Sequence, residues 1–226
     1  MNQGWRGTAR WNRALAALSG IAGPIVLVAS FMINPAPSAD STPAQLRDFA
    51  LQHHATIVLG GWLQGIGSLL IVVFSVALVH YATAMNRLAG WITLLAGATI
   101  LMVSLVEVTF YLAAVQATEL GDTASGLAAN NLIKAVQHVF LIGPALLIPL
   151  GFVLGSSRIL SRPFAFSALG LGASLQVLGL LGLFHLLQPV IDVLLIVQAV
   201  WFVLAAIALL FSRPSADFDD RRASVA

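Results

Sequence analysis

An all-α, polytopic bundle of membrane-spanning helices is the fold class this sequence predicts, and three observations predict it. Of 226 residues, 59% are hydrophobic and 9% charged, with a mean hydropathy of +0.93; a water-soluble domain carries roughly a quarter charged residues. Six apolar runs reach the length of about 20 residues that a helix needs to cross the hydrocarbon core. The basic residues are also segregated. Arg6, Arg10, Arg13, Arg87, Arg158, Arg162, Arg213, Arg221 and Arg222 all fall on one side of those six runs, and only Arg47 and Lys134 fall on the other. By the positive-inside rule both termini are cytoplasmic.

Span one covers Ala14 to Ile33, after a cytoplasmic segment of residues 1–13. Its basic start, apolar run and small-residue exit "NPAPSAD" also fit a cleaved signal peptide. Against that, the run exceeds a usual h-region and Pro37 stands where a clean A-x-A site is wanted. In the outer loop "STPAQLRDFALQHH", Thr42 can cap, Pro43 takes the first helical position and Gln45 can complete a capping box. A short helix over about residues 43–54 is therefore expected to lead into span two. Span two runs from Ile57 to Tyr81, span three from Leu88 to Ala114, and span four from Leu132 to Leu154. Span five runs from Phe164 to Leu187 and span six from Val190 to Phe211, so the transmembrane domain occupies residues 14–211. Trp11, Tyr81 and Trp91 sit at the cytoplasmic boundary as interfacial anchors. The closing "RPSADFDDRRASVA" is polar and mixed in charge, giving a disordered cytoplasmic tail over residues 212–226.

An internal repeat is legible. "IAGPIVLV" (Ile21 to Val28) in span one matches "LIGPALLI" (Leu141 to Ile148) in span four, and "GGWLQGIGSL" from Gly60 matches "GASLQVLGLL" from Gly172. Because spans one and four cross in opposite directions, the repeat would be inverted, three helices plus three, with a binding site near the midplane. Chance likeness between Gly- and Leu-rich helices competes with this, since spans three and six show no match. Gly61 with Gly65, and Ala168 with Gly172, also have the small-xxx-small spacing that lets helices approach closely.

Glu107, in "SLVEVTFY", is the residue that needs explaining. An ionisable group at the centre of a span costs about 2.5 to 3.5 kcal/mol on insertion scales, and such groups face a protein interior or wet cavity with a partner. If the turn after span three centres near residue 122, Glu107 lies opposite about residue 137. There "NLIKAVQHVF" places Asn131, Lys134 and His138 on one face with Gln137 adjoining, so Lys134 or His138 is the expected partner. Ser104, Glu107 and Tyr111 share a stripe on span three. A buried carboxylate beside a histidine can carry a proton; the same pair could equally do no more than fasten two helices.

A polar cavity open toward the outer half is thus expected from Glu107, Tyr111, Lys134, Gln137 and His138, with Gln64 and Gln176 deeper. His53, His54, His185 and Asp192 form its rim, Asp192 also being favoured at a helix N-terminus on dipole grounds alone. His54, His138, His185 and Glu107 are the right types for a metal but follow no ligand spacing. A haem pair lacks an inner partner because His80 stands alone on that side. No cofactor is expected.

The absence of cysteine removes disulfides, thiolate metal sites and Cys nucleophiles, and the formal charge of +2 makes no case for nucleic acid. There is no H-E-x-x-H, no G-x-S-x-G elbow and no phosphate loop, so an enzyme is the minority reading. The expected partners are the bilayer and a small solute or ion, and self-association stays open.

"TPAQLRDFALQHH" running into "GGWLQGIGSLL", with the closing "LLIVQAVWFVLAAIALL" around Trp201, resembles a family of small six-helix bacterial integral membrane proteins of unknown function. The resemblance implies a six-helix architecture in a bacterial plasma membrane and supplies no catalytic residue. The Ala-, Gly- and Arg-rich, Lys-poor composition agrees with a bacterial source. The function expected is binding or translocation of a small solute or ion, with proton coupling. The alternative is a structural or sensory subunit whose polar pair only fixes packing, and a metal- or haem-bearing protein is the lesser alternative.

Overall fold

The computed structural model describes residues 3–34, 42–142, 146–157, 159–182 and 188–212, without the side chains of 3–10, 137–142 and 188. Eight helices and no strand occur among the described residues: α1 (Gln3–Ile33), α2 (Pro43–Gln52), α3 (His54–Tyr81), α4 (Leu88–Glu119), α5 (Thr123–Ile142), α6 (Leu147–Gly155), α7 (Arg162–Gly182) and α8 (Gln188–Phe211). Five contain stretches long and apolar enough to cross a membrane: Trp11–Ile33, His54–Tyr81, Leu88–Glu119, Arg162–Gly182 and Pro189–Phe211. The protein is a helical membrane bundle. The stretch expected as span four is divided between the end of α5 and α6, and residues 143–145 between them lie outside the described residues. So do His185 and the tail from 213.

α1 begins at Gln3, so most of the segment expected to precede span one continues its helix, and Pro24 is accommodated inside it. α2 starts as a capping box: the Thr42 hydroxyl accepts from the Gln45 backbone N–H, and the Gln45 side chain accepts from the Thr42 N–H at 2.8 Å. α4 ends five residues beyond Ala114, where Gly121 takes a left-handed φ of 75°. The Asp122 N–H then reaches back to the Ala117 carbonyl and the Gly121 N–H to that of Thr118. Asp122 also opens α5, accepting from the backbone N–H and hydroxyl of Ser125 at 3.1 and 2.6 Å.

The helices pack as a ring in chain order: α1 on α3, α3 on α4, α4 on α5 and α6, these on α7, α7 on α8, and α8 back on α1. Phe74 of α3 and Phe202 of α8, both fully buried, meet edge to face in the core, with ring centroids 6.2 Å apart. One end of the bundle gathers arginines. Arg13 donates to the Ser212 carbonyl and lies over the Tyr81 ring, and Arg87 donates to the Ser156 hydroxyl at 2.9 Å. The opposite end carries α2 and the α4–α5 turn.

Glycine sets the closest approaches. An added Cβ would stand 2.7 Å from the Leu27 backbone N at Gly67 and 2.7 Å from Asn34 Cβ at Gly60 on the α1–α3 contact. On the α6–α7 contact, one at Gly172 would meet the Ile148 backbone N at 2.8 Å. The repeat alignment equates Gly172 with Gly60 and Leu154 with Asn34, yet Gly172 packs on Ile148. The matched residues therefore sit in different packing registers, displaced by six positions, about 9 Å of helix. The shared G-x-x-L-Q pattern does not place equivalent residues at equivalent contacts.

Candidate functional site

Glu107 is buried, and its described partners are Gln64 and Tyr111 rather than Lys134. Its Oε2 accepts from Gln64 Nε2 of α3 at 2.6 Å, and its Oε1 accepts a long 3.5 Å hydrogen bond from the Tyr111 hydroxyl one turn further along α4. One turn the other way, Ser68 Oγ donates to Ser104 Oγ at 2.9 Å. Gln64 and Ser68 at i, i+4 on α3 thus meet Glu107 and Ser104 at i, i+3 on α4, and all four are buried. Gly61 and Gly65 flank the seam, facing Val108 and Leu105 of α4.

Lys134 is exposed, as is Asn131 on the same helix, and no described cation pairs with Glu107. The expectation of a Lys134 partner is thereby corrected. α4 packs against both α3 and α5, and the stripe of Ser104, Glu107 and Tyr111 is directed to α3. The side chains of Gln137 and His138 lie outside the described residues. A signal for these partners was present: the same hairpin rule applied to the turn between Tyr81 and Leu88 puts residue 107 opposite about residue 62 and 104 opposite about 65, within one helical turn of Gln64 and Ser68.

Tyr111 joins this seam to a cavity of about 70 Å³ at the α2 end of the bundle. Its walls are apolar for the most part, from Leu46, Phe49 and Ala50 of α2, Ile57 of α3, Val115 of α4 and Ile133 of α5. Its polar groups are Asn34, Arg47, Tyr111, Thr118, Thr123 and Asn130. Sequence reasoning missed Asn34, Thr118 and Asn130, which look like ordinary polar residues near the outer end of their helices until tertiary packing brings α1, α4 and α5 together under α2. A larger open cleft of about 720 Å³ at the arginine-bearing end, with Ser156, Ser157, Ser161 and Arg162 among its lining residues, has no carboxylate or histidine among the described residues that line it.

The expected rim residues separate. His54 Nδ1 stands 3.0 Å from Glu119 Oε1, joining the start of α3 to the end of α4, with both side chains half-exposed. His53 packs on Phe49, ring centroids 4.6 Å apart, where α2 turns into α3. Asp192 is exposed on α8, which packs on α1 and α7, and half-buried Gln176 is on α7, whose neighbours are α5, α6 and α8. Neither joins the Glu107 seam. Among the described residues no three His, Asp or Glu side chains converge as a metal site would require. Chemically, the site offers a buried carboxylic acid held by an amide and a phenol, with the phenol forming part of a cavity wall. Comparison with known protein families, curated proteins and solved structures finds no match.

Proposed function

We propose that this protein is a six-span plasma-membrane protein, both termini cytoplasmic, that binds and passes a small solute or ion through the cavity under α2, with Glu107 as a proton-carrying group. One observation carries the reading: Tyr111 both bonds Glu107 and lines the cavity. A carboxylate serving only to fasten helices has no need of that connection, and intramembrane ionisable groups that face cavities mark ion and proton paths. Arg13 and Arg87 at the end opposite the cavity support reading that end as cytoplasmic by the positive-inside rule, and the cavity as outward-facing. The fourth crossing in the count of six is the composite of α5 and α6 between α4 and α7, and the bacterial family resemblance belongs to the same proposal.

A second reading, a structural or sensory subunit, is favoured by the Ser68–Ser104 bond, which pins the same seam without any ionisable group. Infrared difference spectra of lipid-reconstituted protein, recorded on stepping pH, separate the two. The proposal expects a carboxylic-acid carbonyl band that rises and falls with pH and is missing in Glu107→Gln, whose amide keeps the packing shape. A wild-type spectrum with no such band, or one unchanged in Glu107→Gln, leaves only the fastener.

A further inference from the structure

Of the crossing stretches, the one on α7 begins at Arg162 and the one on α8 stops at Phe211. The open cleft of about 720 Å³ lies between those two points, with the α6–α7 turn as its third wall. It therefore sits just outside the hydrocarbon core, at the depth where a bilayer carries its phosphate groups. Ile159, Leu160, Phe164 and Phe211 give it an apolar wall. Phe211 is exposed at the end of its span, so that wall continues onto the surface that meets lipid.

Three described guanidinium groups stand around the cleft. Arg162 lines it, Arg87 donates to the hydroxyl of Ser156 at 2.9 Å, and Arg13 donates to the carbonyl of Ser212, both serines being lining residues. The described acids are elsewhere: Asp48, Glu119 and Asp122 at the α2 end, Asp192 early in α8, and Glu107 in the seam. The hydroxyls of Ser156, Ser157 and Ser212 are spent on the carbonyls of Val153, Leu154 and Leu209. What the cleft offers a ligand is thus positive charge beside an apolar wall, which selects an anion with an apolar part over a neutral polyol or a cation.

An excess of arginine at one end follows from topology alone, but topology does not dictate where each one sits. Arg13 and Arg87 reach carbonyls at the C-terminal ends of α8 and α6, where the helix dipole favours a cation. Arg162 instead opens α7, where the dipole disfavours one, and no ion pair or hydrogen bond to a described residue offsets that. A bound anion would.

We propose that this cleft binds the phosphate of an anionic phospholipid, with Arg162 as the principal cation and the wall from Phe164 to Phe211 against the glycerol and first acyl methylenes. Arginine suits the role because its planar fork pairs two phosphate oxygens at once, and basic pockets between spans at the cytoplasmic side are suited to anionic headgroups. A soluble phosphate monoester shares the charge but leaves the apolar wall unused. The site is at the opposite end from the cavity under α2 and does not depend on the reading of Glu107.

The test titrates the full-length protein in neutral detergent with dioleoyl phosphatidylglycerol or dioleoyl phosphatidylcholine and counts bound lipid by native mass spectrometry. The wild type should hold a single phosphatidylglycerol in preference to phosphatidylcholine. Arg162→Gln should weaken phosphatidylglycerol about fivefold, the worth of one cation near an anionic surface, and Arg162→Lys should keep most of the affinity. Arg162 is exposed, so its loss leaves the packing intact. Asn12→Lys adds a cation at the same end on an exposed position of α1 outside the lining, and in the Arg162→Gln background it should restore nothing. Equal retention of the two lipids, an unchanged affinity in Arg162→Gln, or recovery through Asn12→Lys overturns the proposal, the last by showing that only the charge of the whole end matters. Displacement of the lipid by an equal concentration of glycerol 3-phosphate also overturns it, since the site would then belong to a soluble phosphate.

Discussion

Gly67→Ala is the substitution for which the structure dictates the sharpest stability loss. Its Cβ would lie 2.7 Å from Leu27 N, 2.9 Å from Leu27 Cα and 2.9 Å from Leu27 Cβ. Optimal carbon contacts lie at about 3.5 to 4.0 Å, so α1 and α3 would have to part by about 1 Å. Two of the three obstacles are backbone atoms, which no rotamer change can move aside. A gap of that size forfeits a quarter to a half of each dispersion well along the contact, and overpacking of this kind costs about 1 to 3 kcal/mol. We take the upper end, about 2 to 3 kcal/mol, because α1 and α3 stay in close contact over several turns, from Gly20 against Phe74 to Gly60 against Asn34. Ala is the better helix former by about 1 kcal/mol, which leaves a net loss of about 1 to 2 kcal/mol. Gly170→Ala on α7 is the control: nothing lies within 4 Å of its added Cβ, so it should be neutral or more stable by up to about 1 kcal/mol. Both are measured by unfolding in mixed detergent micelles, followed through the five tryptophans. If Gly67→Ala falls within about 0.5 kcal/mol of Gly170→Ala, the close approach is not real. Leu27→Ala should fail to rescue Gly67→Ala, because the backbone N and Cα remain.

Other outcomes follow from the seam and the turn. A double-mutant cycle of Gln64→Met with Glu107→Met should give a coupling of about 1.5 kcal/mol, near the upper limit for hydrogen bonds in membranes, whereas Ser68→Ala with Ser104→Ala should give about 0.6 kcal/mol. A serine coupling equal to or larger than the Gln64–Glu107 coupling would contradict the 2.6 Å bond to a carboxylate. Asp122, in the turn outside the spans, has its carboxyl held below the usual carboxylate range by the hydrogen bonds from Ser125. Its folded value is lower than its unfolded one, so the stability it adds is present above the ordinary carboxylate range and is lost as pH falls through it. The protection of the Ser125 amide, its exchange rate taken relative to the intrinsic rate at each pH, should therefore fall on acidification in the wild type, and Asp122→Asn should abolish that fall; an unaltered protection profile in the variant would show that the cap does not titrate.

The sequence by itself determined that the chain is built of apolar helices for a membrane, because hydropathy over about 20 residues is a local sum that needs no knowledge of neighbours. Local chemistry was equally legible at Thr42, Pro43 and Gln45, where four consecutive positions contain the whole capping box. Glu107 was legible as costly, again because a charge in an apolar run is a one-dimensional fact. Its partner was not. α4 has neighbours on both sides, each reached through a short turn, and the sequence permits the pairing of Glu107 with residue 137 as readily as with residue 64. The choice depends on the rotation of α4 about its axis, which is set by whole-length packing that includes Gly61 and Gly65 against Val108 and Leu105. The cavity was invisible for the same reason: Asn34, Arg47, Tyr111 and Asn130 come from four different helices. Only the tertiary structure brings them under α2, because their proximity depends on how the bundle closes and not on any spacing along the chain.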